Sequence, residues 1–223
     1  MTRTKFHQGL DELKQKLLVM GGMAEQAVDR AIEAYRLRDA GLCQQVLDGE
    51  RAINTMEREI DELALDLLAM QQPMAVDLRF IIAIVKINAD LERVGDQAVN
   101  IVQRVMHMNG LPVAELPADI PGMAAAASAM VGEALEAFIE GNAELAQKVL
   151  ATDDDVDRMN RETFVAMEGV MASSPEVLHQ ALDVLLIARN LERIADHATN
   201  IAEDVIFWVR GADVRHRIHT SSQ

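Results

Sequence analysis

Apolar residues recur in steps of three and four along two stretches of this 223-residue chain. In one they fall at Ile84, Ile87, Leu91, Val94, Ala98, Ile101, Val105 and Met108. In the other they fall at Val184, Ile187, Leu191, Ile194, Ala198, Ile201, Val205 and Trp208. Steps averaging about 3.5 residues lay an apolar stripe along one side of an α-helix, so each stretch predicts a long bundle helix. A helical pattern also runs from about Thr4 to Arg36, with Gly21-Gly22 inside it as a kink or close-approach point. Asp39 and Asn142 each precede a further periodic segment and suit its N-cap. Ser174-Pro175-Glu176 has the form of another helix start, with a capping hydroxyl, a first-turn proline and an acid.

Three of the five prolines (Pro112, Pro117, Pro121) lie in one stretch near the midpoint, which reads as a linker. The segments on either side repeat. At a shift of 103, Ala40, Leu42, Gln44, Val46 and Leu47 meet Ala143, Leu145, Gln147, Val149 and Leu150, and Met56, Arg58 and Glu59 meet Met159, Arg161 and Glu162. Beyond the breaks at Pro73 and Pro175 the shift becomes 100, and Asp90–Ile101 matches Asn190–Ile201 at seven of twelve positions. Such identity without low complexity marks an internal duplication. The expected fold is all-α: six long antiparallel helices in two tandem, sequence-related three-helix bundles. The expected boundaries are a first repeat over 1–111, a linker over 112–121, a second repeat over 122–211 and a short basic tail over 212–223.

Composition narrows the function classes. Against 36 Asp+Glu there are 21 Lys+Arg, a net charge of −15, so the surface repels nucleic acid and anionic lipid. The lone Cys43 excludes an intramolecular disulfide and a thiolate zinc cluster. The apolar run Met123–Val131 is cut by Glu133 and Glu136, short of the roughly 20 residues of a bilayer span, so no transmembrane segment is expected. The one Glu-x-x-His, Glu176 to His179, lies in a helix's first turn and lacks a mate in the other repeat, which argues against a ferritin-like diiron centre. No phosphate-binding loop or nucleophilic triad stands out, and the thirteen methionines suit core packing.

The candidate chemistry lies in repeated acids. Glu92 and Asp96, and again Glu192 and Asp196, stand four residues apart on one helical face, with Asn100 and Asn200 a turn further on. At 100° per residue these positions lie roughly opposite the apolar stripe, pointing away from that helix's core side. The preceding helices carry Asp153 and Asp157 in the second half and Glu50 and Asn54 at the equivalent places in the first. Like charges at this spacing oppose helix formation, so their duplication points to a bound cation, and oxygen donors without thiolate suit hard metal ions. The expectation is two quasi-equivalent sites taking magnesium, manganese, iron, calcium or zinc ions. The same acids also suit a solvated helix face or the positive end of a helix dipole.

Taken together, these residues resemble the PhoU family over nearly the whole chain. The resemblance rests on Leu91-Glu-Arg-Val-Gly-Asp96 with Leu191-Glu-Arg-Ile-Ala-Asp196, Met20-Gly-Gly-Met-Ala-Glu25, Gln72-Pro-Met-Ala-Val-Asp-Leu-Arg79 and Gly211-Ala-Asp-Val-Arg-His216, in order on a duplicated frame. It implies a non-catalytic, cytoplasmic negative regulator of the phosphate-starvation response, peripheral at the inner membrane through its partners. Those partners would be a phosphate ABC-transporter ATPase, a sensor histidine kinase and a second copy of the chain. It also implies metal clusters on E(D)xxxD motifs, matched by Glu92/Asp96, Glu192/Asp196 and Asp153/Asp157; Glu50/Asn54 departs by one amide and so carries one charge fewer. The rival expectation is a carboxylate-bound metal store or a metal-dependent oxidoreductase.

Overall fold

The computed structural model describes residues 3–71 and 73–211. The basic tail, and with it most of the Gly211–His216 signature, lies outside the described residues. Six long helices follow one another: α1 Arg3–Leu37, α2 Ala40–Gln71, α3 Val76–Asn109, α4 Ile120–Glu140, α5 Ala143–Ser173 and α6 Leu178–Arg210. α1, α2 and α3 pack on one another, as do α4, α5 and α6, which is the all-α, two-bundle arrangement that the periodicity predicts.

The helix ends follow from their residues. Asp39 Oδ1 accepts from the backbone N–H of Gly41 (2.7 Å) and Leu42 (3.1 Å), and Asn142 Oδ1 accepts from Glu144 (3.1 Å) and Leu145 (3.0 Å). Each side chain thereby satisfies first-turn donors that have no partner within the helix. Ser174 behaves otherwise. Its hydroxyl makes no capping bond, and Pro175–Val177 forms a 3-10 turn, closed by Val177 N–H donating to the Ser174 carbonyl (3.1 Å), before α6 begins. α4 starts at Ile120, capped by Asp119 with Pro121 in its first turn, so the last two residues of the expected linker are helical.

The apolar stripes face inward as their spacing requires. From Ile84 to Met108 and from Val184 to Val205 every stripe residue is buried, and Trp208 is half-buried against the core. The largest contact between helices is α3 against α6, so the two bundles share one continuous core instead of meeting end to end. The two helices cross antiparallel: His197 Nδ1 lies 2.9 Å from Asp90 Oδ1, His107 Nδ1 lies 2.6 Å from the buried Asp183, and Lys86 pairs with the buried Asp204. These carboxylates tolerate burial because each faces a cation or a ring nitrogen. Gly21 is the close-approach point between bundles, since a Cβ there would lie 2.7 Å from Leu135 Cδ1 of α4. Gly22 faces open space. By length and composition α4 is apolar enough to cross a membrane, contrary to the reading that Glu133 and Glu136 disqualify it. Half of it is nonetheless buried as a core helix of the second bundle.

Candidate functional site

α2 lies against the acid-bearing side of α3. Gly95 makes the approach possible: a Cβ there would come within 2.9 Å of Ile53 Cδ1. Glu92 and Asp96 flank this contact, so the side of α3 opposite its stripe is not open to solvent, and the Glu92 side chain keeps 18 % exposure and that of Asp96 33 %. The sequence places the acids outward by reference to α3 alone, and α2 then covers that side.

The first acidic face draws on both helices. Burial chiefly pushes Glu92 above the usual carboxylate range, reinforced by the charges of Asp96, Glu57 and Glu50. Glu57 is itself pushed up, by burial and by Asp61 and Asp96, with Arg93 opposing. Glu57 is the residue that sequence reasoning missed. It stands seven residues after Glu50 and three after Asn54, on the same side of α2, and it supplies the charge that Asn54 lacks. The face therefore holds four carboxylates, Glu50, Glu57, Glu92 and Asp96, with Asp61 beside Glu57. Asn88, fully buried on α3, donates to the Glu57 carbonyl (2.9 Å) and to Asp61 Oδ1 (3.0 Å), pinning this part of α2.

The second acidic face lies between α5 and α6. Burial, then Asp157, Asp196 and Asp154, push Asp153 up to about 6. Glu192 is raised by burial and by Asp157 and Asp153, while Arg189 and Arg193 oppose, and Asp196 is raised by burial, Glu192 and Asp157. Four half-buried carboxylates thus hold one another's charges at a cost. Arginines offset part of it: Arg161 reaches Asp157 at 3.4 Å, and in the first face Arg93 reaches Glu92 at 3.6 Å and Asp96 at 3.8 Å.

The amides lie differently. Asn200 donates to Asp90 Oδ1 (3.1 Å) beside His197, on the α3–α6 side, and Asn100 lies 3.5 Å from Gln97 Oε1. Among the described residues no three His, Cys, Asp or Glu side chains converge on a single metal position. The donor chemistry, all oxygen and crowded with like charge, suits a hard cation whose arrival would relieve repulsion. Closing a coordination sphere would require these side chains to turn toward one another.

Comparison with known proteins agrees with this duplicated frame. The family model described as the PhoU domain matches twice, over residues 17–105 and 120–205. A Pseudomonas aeruginosa protein named phosphate-specific transport system accessory protein PhoU homolog is 40 % identical over 215 residues, 95 % of this chain and 88 % of that protein. The crystal structure of PhoU from Pseudomonas aeruginosa superposes with a TM-score of 0.89 at 39 % identity, covering 93 % of this chain and all of that one. The phosphate transport system regulatory protein PhoU from Streptococcus pneumoniae gives 0.87 at 28 % identity, covering 94 % and 99 %. Two family matches, one on each bundle, and close agreement in both sequence and structure lead to one conclusion: this chain belongs to the PhoU family.

Proposed function

We infer that the chain regulates phosphate transport and holds the phosphate-starvation response off when phosphate is plentiful. It does so on the cytoplasmic side, as an adaptor between a phosphate ABC-transporter ATPase and a sensor histidine kinase. The names of its relatives, accessory proteins of phosphate-specific transport, support the process. The adaptor reading is carried by one observation: the starts of α3 and α6 expose apolar stripes at equivalent positions, Leu78 and Ile82 on one and Leu178, Leu182 and Leu186 on the other. A helix of a closed bundle has no use for such stripes in water, whereas a docking helix does. Two related stripes suit two partners, or one partner and a second copy of the chain.

An adaptor acts by binding one state of its partner more tightly than another. The acidic faces fit this role as sites for hard cations, held by Glu50, Glu57, Glu92 and Asp96 between α2 and α3 and by Asp153, Asp157, Glu192 and Asp196 between α5 and α6. A bound cation would supply positive charge there. The chain's own carboxylates set how strongly each face repels an acidic partner surface.

The test is alkaline phosphatase activity in phosphate-replete cells. Deleting the gene should raise it, and the wild-type copy should silence it. Copies carrying Leu182→Asp with Ile82→Asp should fail to silence it while still folding. If deletion leaves activity low and the purified protein instead carries stoichiometric redox-active metal, the metal-store reading takes its place.

A further inference from the structure

The duplication supplies an internal control for one feature that neither the transport role nor the acidic faces use. At one end of the molecule α4 closes on a left-handed Gly141 (φ 63°), and Phe138, Phe80 and Trp208 fill the space beside it, with ring centroids 5.1 to 5.7 Å apart. By the repeat shifts, the corresponding residues at the other end are Arg38, Tyr35, Gln180 and Met108, with Asn109 in place of Val209. The aromatic plug is gone there. In its place is a half-open cavity of about 430 Å³ at the ends of α1 and α3, roofed by the linker through Val113 and Leu116.

Its polar groups are arranged unlike a packing defect. Arg38 holds φ 51°, a conformation that glycine takes freely and arginine does not, at the position where the other repeat has Gly141. The backbone there pays for a guanidinium that lines the cavity. One of its nitrogens, Nη1, donates to the Met108 (3.0 Å) and Leu111 (3.2 Å) carbonyls, which fixes the group in place. Tyr35 lies close enough to feel the Arg38 charge, and burial pushes its phenol above the usual value, keeping it a hydroxyl donor. Both amide atoms of Asn109, a residue of the cavity wall, are unpartnered and closed off from solvent, so the amide meets a ligand by turning into the cavity. Such an amide is costly unless something arrives to meet it. Among the described residues no carboxylate lines the cavity, although the chain carries a net charge of −15; Glu33 lies outside it, occupied with Arg36 at 2.7 and 2.9 Å.

Guanidinium, phenol and amide N–H are donors; Arg36 adds a second guanidinium to the wall, paired with Glu33, and the other lining residues are apolar. We propose that this cavity binds a small organic oxyanion, a phosphate ester or carboxylate with an apolar body, held by Arg38, Tyr35 and Asn109. The donors take the oxyanion, and Met108 and the linker cover the body. Because the linker forms the roof, occupancy ties α1 and α3 to the segment joining the two bundles.

The experiment is calorimetric titration of the full chain with phenyl phosphate, benzoate and inorganic phosphate, with thermal unfolding alongside. Saturable binding of phenyl phosphate or benzoate, tighter than that of inorganic phosphate, is expected. Whichever binds names the oxyanion. Tyr35→Phe and Asn109→Leu should each weaken it about tenfold. Asn109→Leu should also leave the unliganded protein at least as thermostable, since it removes an unmet buried amide. No saturable binding of any probe at millimolar concentration overturns the proposal. So does inorganic phosphate binding as tightly as the organic probes, or affinity unchanged in both variants.

Discussion

The two acidic faces reach similar crowding with different residues. In the first, α2 offers Glu50 and Glu57 with an amide, Asn54, between them. In the second, α5 offers Asp153 and Asp157 with the amide, Asn160, after them. Acid and amide have exchanged places across one helical turn, and what both repeats share is two carboxylates from each of two facing helices. The spacing differs with consequence. Seven residues separate the α2 acids by about 10 Å along the axis, and four separate the α5 acids by about 6 Å. The tighter pair also has Asp154 beside it, and there Asp153 is pushed up to about 6. The wider pair faces Arg93, which reaches both acids of α3. How strongly a carboxylate is perturbed therefore depends on the distances along the helix as much as on the number of charges.

The largest expected effect comes from spreading the first face apart. Gly95 allows α2 to reach α3, and its mate is Ala195. Gly95→Leu drives a branched side chain into Ile53 and should cost about 2 kcal/mol in urea unfolding, as overpacking a closed contact does. It should also weaken cation binding at the first face while leaving the second unchanged. Wild-type stability in this variant would show that the helices do not need their close approach.

The next effect concerns the second face and has a definite sign. Between pH 4 and about 6, folded Asp153 retains a proton that the unfolded chain has released. Stability therefore falls as pH rises through this window, and above it the full cost of the ionised, half-buried group is present. Asp153→Asn should flatten that slope in chelator and raise stability at pH 7 by about 1 kcal/mol, allowing for solvent screening. Adding Mn²⁺ should raise the wild-type Tm at pH 7 and raise that of Asp153→Asn less. An equal rise in both would remove Asp153 from the cation site.

Much of this was legible in the chain. The stripes from Ile84 and Val184 state which side of α3 and α6 is core, and the 103 and 100 shifts state that the halves are copies. Those signals are local or periodic. The partner of each acidic side was not legible, because it depends on which neighbouring helix covers it. Glu92 opposite a stripe reads as exposed until α2 is laid across Gly95. Glu57 was hidden for a related reason: strict repeat alignment pairs it with Asn160, whereas helical geometry puts it on Glu50's side. The union of the bundles through α3 and α6 was equally out of reach, since a buried Asp183 looks like any surface acid until His107 stands 2.6 Å away.

The smallest expected effect is the most discriminating for the comparison of faces. Asn54→Asp alone adds a fifth carboxylate to the first face and should lower stability in chelator by about 0.5 kcal/mol. Glu57→Asn alone removes one and should raise it by a similar amount. The double variant, Asn54→Asp with Glu57→Asn, restores four carboxylates but places them as in the second face. If charge number decided everything, the double variant would match wild type. The two α2 acids now stand one turn apart instead of two, however, and Asp154 has no acidic counterpart: its first-half mate is Arg51, whereas Arg161 keeps an arginine mate in Arg58. Arg51 puts a cation where the second face has an acid, so the transplanted acids should be less perturbed than Asp153. The expected result is stability within a few tenths of a kcal/mol of wild type, with a pH slope between 4 and 6 shallower than that of the second face. A slope as steep as that removed by Asp153→Asn would mean that spacing alone sets the perturbation, and that the neighbouring charges contribute nothing.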